Sequence, residues 1–183
     1  MSAEPTRMLL HERTIVVRGY VRSDGLYDIE SELTDRKAHP FSNGDARGVV
    51  GADTPVHHMK LNITVNEDLL ISQCDAGIAA SPYGSCNDIS PRFALLKGLY
   101  IGSGWRRKVE ELVGGILGCV HLRELVSTVA TGAVQTLVPL RFSARSGGKV
   151  PAQVDMCHTY RRDGEVAKCR WPSLSDAKAD PGR

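Results

Sequence analysis

Six residue types able to move protons or hold ligands are scattered along this chain, and their spacing decides which chemistry they can reach together. His57 and His58 stand where a long loop runs into an extended segment, so their side chains point to opposite faces of a strand and one of them faces a pocket. An imidazole with an ordinary pKa near 6.5 takes up and returns protons at neutral pH. Arg18 and Tyr20 share one face of an earlier strand, with Tyr27 just across a turn. A guanidinium fork recognises carboxylates or phenolates, and a tyrosine hydroxyl donates to a developing oxyanion. The same Arg and Tyr residues also suit a plain cross-strand surface pairing with Asp28. Tyr83, in "SPYGSC", falls on a loop between extended and helical segments, where binding residues are common.

The stretch "GCVHLRELVSTVATGAVQ" carries two stripes at helical spacing. Leu122, Leu125, Val126, Val129, Ala130, Ala133 and Leu137 make a core-facing arc. His121, Glu124, Thr128, Thr131 and Gln135 make a narrow polar arc beside it. That second arc is either solvated or the wall of a pocket at the layer boundary. Small residues, Ser127, Thr131, Gly132 and Ala133, leave room there, so His121, Thr131 and Gln135 are candidate substrate-binding residues, with Tyr20 and His58.

Five cysteines, Cys74, Cys86, Cys119, Cys157 and Cys169, are an odd number, which argues against a disulfide framework. Cys86, Cys119, His121 and Cys157 are the alternative ligand set for zinc or iron. Only Cys119 and His121 are close in sequence, short of the paired ligand spacing usual in structural zinc sites. The expectation is therefore that no metal or other cofactor is needed and that the cysteines are core thiols.

The elements that must position these residues follow from pattern. "RTIVVRGYVRSDGLYDIESELTDRK" reads as a hairpin, strands about 13–22 and 26–36 around Asp24-Gly25. Residues 38–55 form a loop of about 18 residues. A second hairpin joins a strand alternating at Leu61, Ile63 and Val65 to one over 69–74, turning at Asn66-Glu67-Asp68. Helical segments follow at about 91–99, 105–115 and 120–137, then short strands at 153–160 and just before Trp171. Strands first and helices after predict an α+β domain over residues 7–172: an antiparallel sheet of two hairpins with about three helices packed on it, and polar tails at 1–6 and 173–183.

Bulk properties narrow the function. The 183 residues, 42% hydrophobic and 24% charged with a net charge of +2, describe a soluble globular protein without the basic footprint of a nucleic-acid binder. No run approaches the roughly 20 apolar residues that span a bilayer, and the first residues do not read as a signal peptide, which predicts a cytoplasmic protein. Exposed strand edges allow a homodimer. There is no phosphate-binding glycine loop, nucleophile elbow or His-Glu-x-x-His motif.

"RGYVRSDGLYDIE", "VHHMKLNITVNEDLLI", "SPYGSC", "GLYIGSGWRRKVEELVGGILGCVHLRELV", "ATGAVQT" and "VDMCHTYRRDGEV" together resemble the bacterial family of domain of unknown function 2889, across roughly residues 13–172. That label implies membership and no activity. The family's usual His-Asp-Met stands here as His57-His58-Met59, which puts in doubt any mechanism needing a carboxylate at position 58. The shared imidazole, His57, becomes the expected catalytic residue, with Tyr27, Arg18 and Tyr83. A more distant likeness, carried by hairpins followed by a Gly-Cys-x-His element, is to iron–sulfur cluster scaffold proteins.

The leading expectation is a cofactor-independent acid–base enzyme on a small molecule, a lyase cleaving a C–C or C–O bond of a phenolic compound with release of an aldehyde such as formaldehyde. The alternatives are a non-catalytic metal- or ligand-binding accessory protein built on the Cys/His set, and an interaction module using the polar helix face.

Overall fold

The computed structural model describes residues 5–42, 44–142, 154–155 and 157–172. The chain divides into two compact units, Met1–Phe142 and Ser143–Arg183, where the sequence pattern predicts one domain over 7–172.

In the first unit, four long strands form one antiparallel sheet: β1 (His11–Val21), β2 (Tyr27–Lys37), β5 (Pro55–Val65) and β6 (Ile71–Ala80), in the order β1-β2-β5-β6. Both hairpins turn where the sequence predicts. Gly25 takes φ 82° in the first turn, and Asp24 Oδ1 accepts the Leu26 N–H at 3.3 Å. In the second, Asn66 Oδ1 accepts the N–H groups of Asp68 and Leu70 at 3.0 and 2.9 Å, closing an Asx-type turn. The intervening loop contains a small ribbon, β3 (Phe41–Ser42) paired with β4 (Val49–Val50).

Period-two alternation gives the sheet two unlike faces. Ile29, Ser31, Leu33 and Asp35 of β2 and Met59, Leu61, Ile63 and Val65 of β5 are buried on the inner face. Their even-numbered neighbours lie on the outer face, which is mostly charged and polar. β6 runs six residues beyond Cys74, the predicted end, because pairing with β5 from Leu61 to His58 holds Ala76, Gly77 and Ala80 extended despite their weak strand preference.

The inner face is covered by α2 (Val120–Phe142), whose buried residues, among those described, are the seven of the predicted apolar arc. Each fully buried Leu or Val there contributes about 1.5–3 kcal/mol. Two glycines set how closely the helix lies on the sheet. A Cβ on Gly19 would come within 1.9 Å of Thr136 Oγ1, and one on Gly132 within 2.6 Å of Val17 Cγ1. The space predicted around Gly132 and Ala133 is thus taken up by helix-to-sheet contact.

The predicted helix at 91–99 is a 3₁₀ segment over Gly84–Leu96; Pro91 within it lacks the N–H an α-helix would use. It buries Phe93 and Leu96, and α1 (Trp105–Val113) adds Trp105, Val109 and Val113 to the same core.

In the second unit, the strand predicted before Trp171 is a helix, α3 (Glu165–Arg170), with Glu165 in its first turn and Lys168 and Arg170 in its last, matching the helix dipole. Of the strand predicted over 153–160, residues 153 and 156 lie outside the described residues, and the rest form turns and bends. Asp155 Oδ1 accepts the Arg162 N–H at 2.8 Å across that turn.

Candidate functional site

Strand register builds the site. Across the first hairpin Arg13 pairs with Asp35, and across the β2/β5 ladder Asp35 pairs with His57, so the three side chains stand in one row on the inner face. Bulges between Asp35 and Arg36 and between His58 and Met59 flank His57, where the extra residue re-aims the strand. His11, opposite Lys37, reaches Asp35 diagonally. The first turn of α2 brings in His121 from above the sheet.

Asp35 is the hub, its side chain only 3% exposed. Arg13 clamps it with two parallel bonds, Nε to Oδ1 at 2.7 Å and Nη2 to Oδ2 at 2.8 Å. His57 Nδ1–H donates to Oδ2 at 2.9 Å and His11 Nε2–H to Oδ1 at 3.2 Å. Burial works to raise the Asp35 pKa, but the Arg13 hydrogen bonds and charge, together with the two imidazoles, outweigh it and hold it at about 2. The carboxylate is therefore ionised throughout the neutral range.

His57 and His121, with side chains 16% and 21% exposed, are the half-buried imidazoles of this cluster. Their rings lie 3.8 Å apart between centroids with a 30° tilt, and His121 Nε2 stands 3.9 Å from Asp35 Oδ2. The His121 Nδ1 side faces Cys119 Sγ at 3.9 Å. Burial lowers the pKa of His57, with Asp35 pulling the other way and Arg13 and Arg47 reinforcing the drop. Burial also lowers that of His121, helped by His57 and Arg13. Both rings are thus neutral at pH 7. Because His57 Nδ1 carries the proton given to Asp35, its Nε2 lone pair is available, and 16% of the side chain is open to solvent. A buried carboxylate orienting a neutral, half-buried imidazole is an arrangement suited to a general base.

The predicted residues divide sharply. His57 and His121 come together. Arg18 and Tyr20 sit on the outer face, opposite Glu30 and Asp28, with the sheet between them and His57. Tyr27 is on the inner face but at the far end of β2, eight residues and about 27 Å from Asp35. Tyr83 is 55% exposed at the start of the 3₁₀ segment. His58 points outward and donates to Glu32. Thr131 and Gln135 are exposed, and the Thr131 hydroxyl is spent on its own helix, donating to Thr128 O at 2.9 Å. Of the residues expected to be catalytic, Arg18 and Tyr27 are therefore not gathered around His57.

The carboxylate doubted at position 58 comes from the neighbouring strand instead. Position 58 faces away from the site, so a histidine there leaves the site's carboxylate in place. Among the described residues, the group of His, Cys, Asp and Glu side chains able to share one ion is Asp35, His57 and His121. It includes His121 of the predicted ligand set but none of its cysteines. Cys86 is half-buried on the 3₁₀ segment and Cys157 is exposed in the second unit. Cys74 is a core thiol pushed up to about 12 by burial.

The family model described as protein of unknown function (DUF2889) matches residues 11–135, well over half of the chain. The chain belongs to this family. Its matched span contains all of Arg13, Asp35, His57 and His121 and closes within α2. No curated protein and no solved structure matches the chain, so the likeness to iron–sulfur scaffold proteins has no support. No helix among the described residues is long and apolar enough to cross a membrane.

Proposed function

We propose that this member of the family is a small-molecule enzyme working by acid–base chemistry, a lyase that cleaves a C–C or C–O bond of a hydroxylated aromatic compound and releases a small aldehyde such as formaldehyde. The observation that carries this reading is the His57–Asp35 pair: a neutral imidazole, oriented through Nδ1 by a buried carboxylate, with 16% of its side chain open to solvent. In the reaction His57 Nε2 takes the proton of a substrate hydroxymethyl group. The O–H electrons form the aldehyde C=O, the C–C bond breaks into the conjugated ring system, and the imidazolium returns its proton to the product. His57 gains charge as it accepts the proton, and Asp35, fixed by Arg13, stabilises that charge.

The aromatic substrate has support in what precedes His121. Ile116, Leu117 and Val120 are 98%, 40% and 63% exposed, an apolar approach next in sequence to the imidazole. The test is a screen of phenolic compounds bearing hydroxymethyl side chains, with aldehyde release as readout. Wild-type turnover that disappears in His57→Gln supports the reading; no aldehyde from any of them removes it.

A further inference from the structure

Three ligand atoms, one each from Asp35, His57 and His121, lie within 4.8 Å of one another. Around a tetrahedral ion with bonds of about 2.0–2.1 Å, neighbouring ligand atoms stand about 3.4 Å apart. The two spacings to Asp35 Oδ2 fall on either side of that value: 2.9 Å from His57 Nδ1 and 3.9 Å from His121 Nε2. Two imidazoles and one carboxylate from three different elements make a donor set that suits zinc and ferrous iron and leaves coordination positions open.

The surroundings match what metal ligands require. Asp35 Oδ1 is held by Arg13 Nε and His11 Nε2, which fixes the carboxylate plane from behind. Oδ2 takes one bond from Arg13 Nη2 and turns its other lone pair toward the two rings. Cys119 Sγ lies beside His121 Nδ1, the nitrogen that points away from the cluster, so the ring is steadied with Nε2 inward. We infer that Asp35, His57 and His121 bind one divalent transition-metal ion, zinc or ferrous iron, through Asp35 Oδ2, His57 Nδ1 and His121 Nε2. The ion takes the place of the proton now shared between His57 and Asp35.

This inference deepens the reading above by naming a cofactor for the same site. A substrate hydroxyl oxygen occupies an open position, the O–H bond breaks with its proton leaving to water, and the alkoxide stays on the ion. That step replaces proton abstraction by His57, whose nitrogen the metal then occupies.

The test uses the full-length protein stripped with chelator and titrated with zinc, followed by elemental analysis after desalting. One equivalent per chain is expected, with affinity reduced at least tenfold in His57→Gln, His121→Gln and Asp35→Asn and unchanged in His58→Gln. Cobalt substitution of the wild-type chain supplies a readout independent of how the variants fold: visible d–d absorption of a low-coordinate centre is expected. Failure of wild type to retain zinc and ferrous iron, or zinc affinity unaltered by all three substitutions, overturns the inference. The two readings separate cleanly. Zinc bound here without aldehyde release leaves the site and removes the lyase, while aldehyde release by a chain that binds no metal leaves the lyase and removes the site.

Discussion

His57 and His58 are neighbours in the chain and each donates to a carboxylate of β2, yet the two pairs differ in almost every physical respect. On the inner face, Asp35 is 3% exposed, clamped by Arg13 and shared with a second and third imidazole. On the outer face Glu32 is 36% exposed and lies beside Lys60 and Arg18, in a shallow polar groove open to water. Solvent screens the outer pair to the usual small value of a surface ion pair, whereas the inner pair keeps its field and its geometry. Chemistry follows burial and neighbours, and the residue pairing alone does not announce it.

The largest effect is expected from the hub. Asp35→Ala leaves Arg13 charged and without its clamp partner beside two unpaired imidazoles, and should cost about 3–5 kcal/mol in urea denaturation, together with all activity. If Glu32→Ala costs as much, the contrast between the faces collapses. Next, His57→Gln should lower aldehyde release by about 10²–10⁴-fold while its thermal midpoint stays close to wild type. A large fall in the midpoint instead makes His57 structural.

A smaller effect concerns pH. Because His57 and His121 have folded-state pKa values below 6.5, the unfolded chain binds more protons than the folded one as pH drops below that value. Stability of metal-stripped protein should therefore fall as pH decreases from about 6.5, and His57→Gln/His121→Gln should flatten that slope in thermal scans. Asp35 acts in a lower window. Its pKa is depressed from 3.8 to about 2, so its contribution is present above 3.8 and is lost as pH falls toward 2. The smallest effect belongs to the outer pair: His58→Gln should change stability by no more than about 1 kcal/mol and leave aldehyde release intact.

Much of the fold was legible because it rests on local signals. Asp24-Gly25 and Asn66 mark both main turns, and the apolar arc of α2 reads directly from its spacing. The 3₁₀ geometry around Pro91 and the far half of β6 were not, since neighbouring structure overrides local preference there. Two of the five site residues were legible too: His57 and His121 stand out as imidazoles at an element boundary and on a polar arc. Arg13, Asp35 and His11 were missed because charged residues near strand ends ordinarily face water. The signal that finds them is register. Once the Asp24-Gly25 turn is fixed, Arg13 must oppose Asp35, whereas the pairing of Asp35 with His57 comes from the β2/β5 ladder, whose strands are joined by the long loop and share the face that alternation assigns to the core. Tyr27 fails for the converse reason, since a shared face does not shorten the length of a strand.

Gly132 lies eleven residues along α2 from His121, about 16 Å away, and has no side chain to offer any ligand. Yet its missing methyl is what lets the helix settle against Val17. A helix is a stiff rod, so a lift at Gly132 travels to its first turn and widens the gap between the His121 and His57 rings. The span between these two imidazoles is thus set in part by an atom that is not there, a spacer of zero thickness between helix and sheet.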